Sequence, residues 1–255
     1  MHPTSPSEWE LVGTDPLGDA FHPTFTANGH FGARIPAAGQ GYSRHRVETQ
    51  FQVAGLFAAV EDQGVRREIR AGAPAWTGLR LSDGTGSFDD CFDVTLDAQC
   101  RGSVEDHQQV LDLATGEIRT QARWTSPGGN THDVSYTVVT DRAQDDRALV
   151  HLRVTPHQAC ELTITDTLDT RAATHVADIR GTCDPLAGTL LLETTLEGTG
   201  LRTWEASTLV GPGRREPGAT DALGTGSLAQ SLVVGAHAAQ PLEFTAFLGL
   251  VTSLD

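Results

Sequence analysis

A period of two runs through most of this chain, and it leaves little room for helix. Between Glu117 and Trp124, the residues Ile118, Thr120, Ala122 and Trp124 alternate with Glu117, Arg119, Gln121 and Arg123. Val134, Tyr136 and Val138 alternate in the same way with Ser135, Thr137 and Val139. A third run sets Ala148, Val150, Leu152 and Val154 against Leu149, His151 and Arg153. Successive side chains of a strand point to opposite faces, so each run predicts a half-buried strand. Turn-forming residues fall between and after the runs, at 125–130, 141–146 and 156–158, so the three strands read as an antiparallel meander. Further strands are expected at Phe25–Ile35, Val47–Val60, Phe92–Leu96, Leu162–Asp166, Leu190–Thr195 and Leu242–Val251. That makes on the order of a dozen to fifteen strands, at the spacing of a sandwich. No three-turn segment carries a helical apolar stripe behind a cap, and only Asp15–Ala20 suits a short helical turn. The expected fold class is all-β: a large antiparallel β-sandwich with few or no helices, its two sheets face to face.

The 255 residues, 38% of them apolar, suffice to bury one such core, and residues 1–255 read as a single domain. The glycine- and proline-rich stretch Gly211–Gly226 is expected to be a long surface loop. A domain boundary there would leave one or two strands that could not fold alone. No run of eighteen apolar residues could span a membrane as a helix. The opening residues have neither the cationic head nor the apolar run of a secretory signal, so a cytoplasmic location is the expectation. The net charge of −15 comes from 33 acidic and 18 basic residues, every basic one an arginine. Such a surface repels phosphate backbones and anionic lipid, so neither nucleic acid nor membrane is an expected partner. Cys91, Cys100, Cys160 and Cys183 lie too far apart for a CxxC motif, and buried free thiols are expected. Neither asparagine, Asn28 nor Asn130, opens a glycosylation sequon.

The residues that could carry chemistry read mostly as structure. Gly84-Thr85-Gly86 and Gly224-Thr225-Gly226 join no strand to a helix, so they read as turns and not as phosphate loops. The ten histidines form no HxH or HExxH pattern, and no metal site is expected. Asp166 and Asp169 could flank a glycosidic bond as acid and base, but carboxylates so close on a turn more often bond local amides. Asp89 and Asp90 read the same way. Arg66, Arg67 and Arg70 form the densest basic spot, expected on a solvated strand face.

Four short elements, in order, resemble the N-terminal domain of glycoside hydrolase family 65. Ala27-Asn28-Gly29-His30-Phe31-Gly32-Ala33-Arg34, followed by Gly39-Gln40-Gly41-Tyr42, is similar to that family's NG[YH][FL]G.R strand and its glycine-rich loop. Val53-Ala54-Gly55-Leu56-Phe57 resembles its VAG[LV][YF] strand, and Leu111-Asp112-Leu113-Ala114-Thr115-Gly116 its LDL..G element. The ending Thr252-Ser253-Leu254-Asp255 is similar to the TSRD that closes the family's first domain, with Leu254 in place of the arginine. The resemblance implies a super-sandwich of the galactose mutarotase type, followed in the family by a helical linker and an (α/α)₆ barrel. It implies inverting hydrolysis or phosphorolysis of α-glucosides such as trehalose, maltose and kojibiose, with no cofactor. Acid trehalase-like hydrolases resemble the wording around Asn28 more than phosphorylases do.

The family's catalytic carboxylates belong to the barrel, so the resemblance assigns no catalytic residue to this chain. It implies an inert supporting domain whose partner is the barrel of the same polypeptide, and it allows a homodimer. Tyr42, Arg44 and His45 are the residues expected to reach a ligand, from a loop after a flexible glycine pair. Two other readings predict different features. A stand-alone carbohydrate-binding module needs a groove of exposed aromatics, and a mutarotase-like epimerase needs a histidine and a carboxylate converging in a cleft.

Overall fold

The computed structural model describes residues 8–15, 24–41, 51–184, 186–220 and 226–254, and within them eighteen strands. The first six are β1 (Glu10–Gly13), β2 (Thr24–Ala27), β3 (Phe31–Ile35), β4 (Phe51–Val53), β5 (Phe57–Asp62) and β6 (Val65–Arg70). They are followed by β7 (Ala75–Ser82), β8 (Ser103–Asp112), β9 (Ile118–Thr125), β10 (Thr131–Thr140), β11 (Arg147–Pro156) and β12 (Cys160–Asp169). The last six are β13 (Val176–Asp184), β14 (Thr189–Leu196), β15 (Arg202–Val210), β16 (Arg214–Thr220), β17 (Leu228–Ala236) and β18 (Leu242–Thr252). Helical structure among the described residues is confined to short turns, the longest being five residues at Phe88–Phe92. The helical turn expected at Asp15–Ala20 falls almost wholly outside the described residues.

Nine strands make one antiparallel sheet in the order β1-β8-β9-β10-β11-β18-β15-β14-β13. Facing it is a four-stranded sheet, β16-β17-β12-β7, with β2-β3-β4 as a smaller sheet beside it and β5-β6 as a separate hairpin. The sandwich is therefore unequal: one wide sheet and a cover assembled from smaller pieces. The meander β9-β10-β11 stands as its alternation predicts. Ile118, Thr120, Ala122 and Trp124 are buried, as are Val134, Tyr136, Val138, Val150, Leu152 and Val154, while their alternates face outward.

Aromatic rings join the layers. Phe31, Phe51 and Trp76 meet edge to face, with centroids 5.6 to 6.1 Å apart, and fix the small sheet to β7. Phe88 stacks on Tyr136, whose hydroxyl donates to the Leu79 carbonyl of β7 at 2.8 Å. Trp124 and Trp76 are fully enclosed, and such rings contribute the largest single burial terms in a core.

Four expected elements take another form. Phe25–Ile35 is a hairpin, β2 and β3, broken at Asn28-Gly29-His30 because Gly29 adopts φ +101°. Within Val47–Val60, the described part is two strands divided at Ala54-Gly55-Leu56, with Gly55 at φ +76°. Phe92–Leu96 is no strand but the end of the turn at Phe88–Phe92 and the bend after it, where the Asp93 carboxylate accepts from Thr95 N and Oγ1. The stretch Gly211–Gly226 is not all loop: it contains edge strand β16, whose pairing with β17 shifts register between Glu216 and Ala219, around Pro217. An edge position tolerates a residue that cannot donate to the ladder.

Gly39, in the loop beyond β3, takes φ +74°, and a Cβ there would lie 2.7 Å from Thr120 and 2.9 Å from Tyr136. Gly64, at φ +77°, faces open space. Gly64→Ala is expected to cost about 1 kcal/mol from backbone strain alone. Gly39→Ala should cost about 3 kcal/mol, because overpacking is added to strain. Urea unfolding of the two variants checks this, and equal losses would refute the close approach.

Candidate functional site at the Asn28 turn

Asn28 holds two turns together. Its Oδ1 accepts from the backbone N–H groups of His30 and Phe31, at 3.1 and 3.0 Å, which shapes the β2–β3 turn. Its Nδ2 donates to the carbonyls of Asp141 and Asp145, at 3.0 and 2.9 Å, across to the β10–β11 turn. An asparagine alone offers both an acceptor and two donors at this length, so neither aspartate nor leucine could replace it fully. In the β10–β11 turn, the Asp141 carboxylate accepts from Ala143 N and Gln144 N.

The two turns border an open notch of about 460 Å³ lined by His30, Gln144, Asp145, Asp146, Arg147 and Val251. Asp146 lies 3.5 Å from Arg147, and its carbonyl accepts from Leu250 N of β18 at 2.8 Å. The lining is mostly polar, and among the described residues it carries no Phe, Tyr or Trp ring. Tyr42, Arg44 and His45, the expected ligand contacts, lie outside the described residues.

The carboxylates considered for acid–base work are placed otherwise. Asp169 forms a double contact with Arg171, 2.9 Å to Nε and 2.6 Å to Nη2, and accepts from Arg171 N. Asp166 is not on a turn but inside β12, fully buried between the sheets, and accepts from Ser207 Oγ at 2.8 Å and Gln230 Nε2 at 2.9 Å. Burial pushes its carboxyl up to about 6. Asp89 is also raised by burial to about 6, although Arg80 lies 3.0 Å away and bonds Asp90 as well. Both groups are closed off from any substrate. Arg66, Arg67 and Arg70 lie on β6 with exposed hydrogen bonds and ion pairs to Gly198, Asp62 and Gln52.

The histidine–carboxylate pairs do not converge in a cleft. His132 is buried against Trp124, with ring centroids 4.9 Å apart and Nε2 3.7 Å from Asp83. Burial pushes its pKa down, so it is held neutral. Burial alone would raise Asp83, but hydrogen bonds from Ser126, Asn130 and Thr85 hold it down to about 2. These bonds fix the Gly84-Thr85-Gly86 turn, as expected for turn glycines. His157 bonds Asp133 at 3.0 Å on the open outer face. Among the described residues, no group of three or more His, Cys, Asp or Glu could hold a metal ion. Cys91, Cys160 and Cys183 are free thiols; Cys91 is buried, donates to the Arg101 carbonyl, and is pushed up to about 12 by burial. The side chain of Cys100 lies outside the described residues.

One buried acid escapes sequence reading entirely. Glu205 of β15 is 1% exposed, and neither carboxyl oxygen has a hydrogen-bond partner. The hydroxyls of Thr194 and Thr203, paired across β14 and β15, are equally enclosed without partners. Burial alone raises the Glu205 carboxyl well above its usual range. Its only signal is its position, alternating in phase with Leu209, and a charged residue is ordinarily assigned to the outer face.

A family model for the Glycosyl hydrolase family 65 N-terminal domain matches residues 24–255. The chain belongs to this family. The cell wall acid trehalase of Candida albicans is 25% identical over 179 residues, covering 57% of this chain and 16% of that protein. The cell wall acid trehalase of Arthroderma benhamiae is 28% identical over 116 residues, covering 45% of this chain and 10% of that protein. A putative kojibiose phosphorylase from the human microbiome shares the fold at a TM-score of 0.75 with 11% identity. That match covers 96% of this chain and 32% of the phosphorylase. The chain thus spans a third or less of these relatives.

The residues that carry the family 65 likeness build turns. Besides Asn28, the Asp112 carboxylate accepts from Ala114 N and Thr115 N to close the β8–β9 turn, with Gly116 at φ +76°. Gly32 lets the Phe25 ring approach so closely that a Cβ would lie 2.5 Å from it. Thr252 Oγ1 accepts from Leu254 N at the chain's last described turn.

Two outcomes are expected. Asn28→Ala should lose about 2 kcal/mol, a fall of roughly 4–8 °C in thermal midpoint, because four bonds across two turns disappear; an unchanged midpoint would refute the latch. Glu205→Gln concerns pH. A carboxyl raised on folding contributes its stability fully below the unfolded value of about 4.3, and that contribution is lost as pH rises toward the folded value. The variant should therefore exceed wild type at pH 8 by about 1 kcal/mol or more, with the gain vanishing near pH 4. Urea titrations at both pH values decide it; an equal gain at both is incompatible with a neutral buried acid.

Proposed function

We propose that this chain is the non-catalytic N-terminal sandwich of a family 65 enzyme acting on α-glucosides, a trehalase-like hydrolase or a phosphorylase. The domain packs against the separate catalytic barrel of the same polypeptide and holds no reacting group. The supporting observation is the burial of its acids. Among the described residues, the carboxyls that burial raises, Asp89, Asp166 and Glu205, are each 5% exposed or less. The two trehalase relatives and the phosphorylase neighbour support the substrate class. Tyr42, Arg44 and His45 are the side chains that reach toward the active-site mouth in this reading.

The purified 255-residue chain, given trehalose, maltose or kojibiose with and without phosphate, should release neither glucose nor glucose 1-phosphate. Turnover at rates ordinary for glycosidases would overturn the reading.

A further inference from the structure

The inward face of β15 carries Thr203, Glu205, Ser207 and Leu209. Ser207 has its partner across the layers in Asp166. The two polar residues before it on that face do not. Among the described residues, Thr203 Oγ1, both carboxyl oxygens of Glu205 and Thr194 Oγ1 are enclosed with no protein atom to bond. Thr194, Thr203 and Glu205 are each 1% exposed.

The strand register brings these atoms together. Thr194 of β14, Thr203 of β15 and Thr252 of β18 are partners on adjacent strands, so three buried threonines form one row. In that row Thr252 Oγ1 already accepts from Leu254 N at 3.1 Å. The next inward row is Leu192, Glu205 and Leu250, which sets the carboxyl between two leucines and beside the hydroxyls. Successive inward positions of a strand are about 7 Å apart at the backbone. One hydrogen bond spans about 2.8 Å, and two bonds through a shared oxygen span about 5–6 Å. A single bridging molecule therefore fits the spacing between the rows.

We infer that ordered water binds here, with one molecule bridging the Glu205 carboxyl to the hydroxyls of Thr203 and Thr194. The chemistry of the four oxygens selects that ligand. A hydroxyl both donates and accepts, and so does a protonated carboxyl, the form that burial favours at Glu205. Water matches both roles and makes roughly two to four hydrogen bonds in a protein interior. A metal ion calls for more charge than one carboxyl supplies, and among the described residues no group of three or more His, Cys, Asp or Glu could hold one. An apolar ligand would leave all four oxygens unbonded. Bound water lowers, without abolishing, the cost of enclosing these groups. It also ties β14 to β15 through side chains and so helps hold Glu205 in its inward phase. The site is independent of the proposed function and stands or falls separately from any sugar chemistry.

A high-resolution crystal structure of the full 255-residue chain tests the site directly. It should show an ordered oxygen at about 2.6–3.2 Å from a Glu205 carboxyl oxygen and from the hydroxyl of Thr203 or Thr194. No peak between these groups, or a peak whose oxygen neighbours lie at about 2.0–2.5 Å as around a metal ion, would overturn the assignment. Thr203→Val reads the same point in solution. Loss of a hydroxyl that bonds water should lower the melting temperature by about 2–4 °C. A hydroxyl with no ligand is better replaced by a methyl group, so an unchanged or raised melting temperature counts against the water. In the Glu205→Leu background the same replacement should cost less, because the bridge has already lost its carboxyl. An equal fall in both backgrounds contradicts the bridge.

Discussion

A nine-stranded sheet has one face it cannot leave in water, and the rest of this chain is arranged to cover it. Tyr136 stands near the middle of that face, its ring against Phe88 and its hydroxyl bonded to the backbone of β7. The bond satisfies a polar group that burial would otherwise leave costly, and it fixes the spacing of the two layers at that point. Around it the cover is a patchwork, with β12 at the centre, β7 at one edge, and the Phe31–Phe51–Trp76 cluster extending it beyond β7. Over β15 the contact between the layers is polar as well as apolar: Ser207 donates to Asp166 of β12, which also accepts from Gln230 of β17.

That geometry explains which features are legible in the sequence. In β9, β10 and β11 the inward positions are apolar or aromatic and the outward ones polar, so the alternation names both the strands and their faces. In β15 the alternation is mixed: Leu209 lies inside and Arg202 outside in the usual way, but Glu205 is inside and Trp204 outside. Hydrophobicity alone therefore gives conflicting assignments along this strand. The phase is set instead by pairing with β14 and β18, since a slip of one residue would turn every side chain of the strand over. Asp166 is misplaced in sequence reading for the same reason: its partners, Ser207 and Gln230, lie 41 and 64 residues away. No local pattern announces them.

The family likeness belongs to a different kind of information. Asn28, Gly29, Gly32, Asp112 and Gly116 each answer a backbone demand: a carbonyl or N–H to be capped, a positive φ, or a close ring. Turn chemistry of this sort admits few residue types, whereas a buried strand position accepts several apolar ones of suitable volume. A sandwich can therefore be shared at 11% identity while short turn motifs stay readable. It follows that the motifs identify the scaffold and say little about chemistry.

Strand β15 also bears on how the domain is stabilised. Glu205, Thr194 and Thr203 leave polar atoms enclosed without partners, a cost of about 1–3 kcal/mol for each group. The same strands expose Trp204 and Leu191, and an aliphatic side chain such as Leu191 forgoes burial worth about 1.5–3 kcal/mol. An isolated domain would gain by exchanging the two sets. The phase is held nonetheless, because Leu209 of the same strand points inward and the pairings with β14 and β18 fix the register.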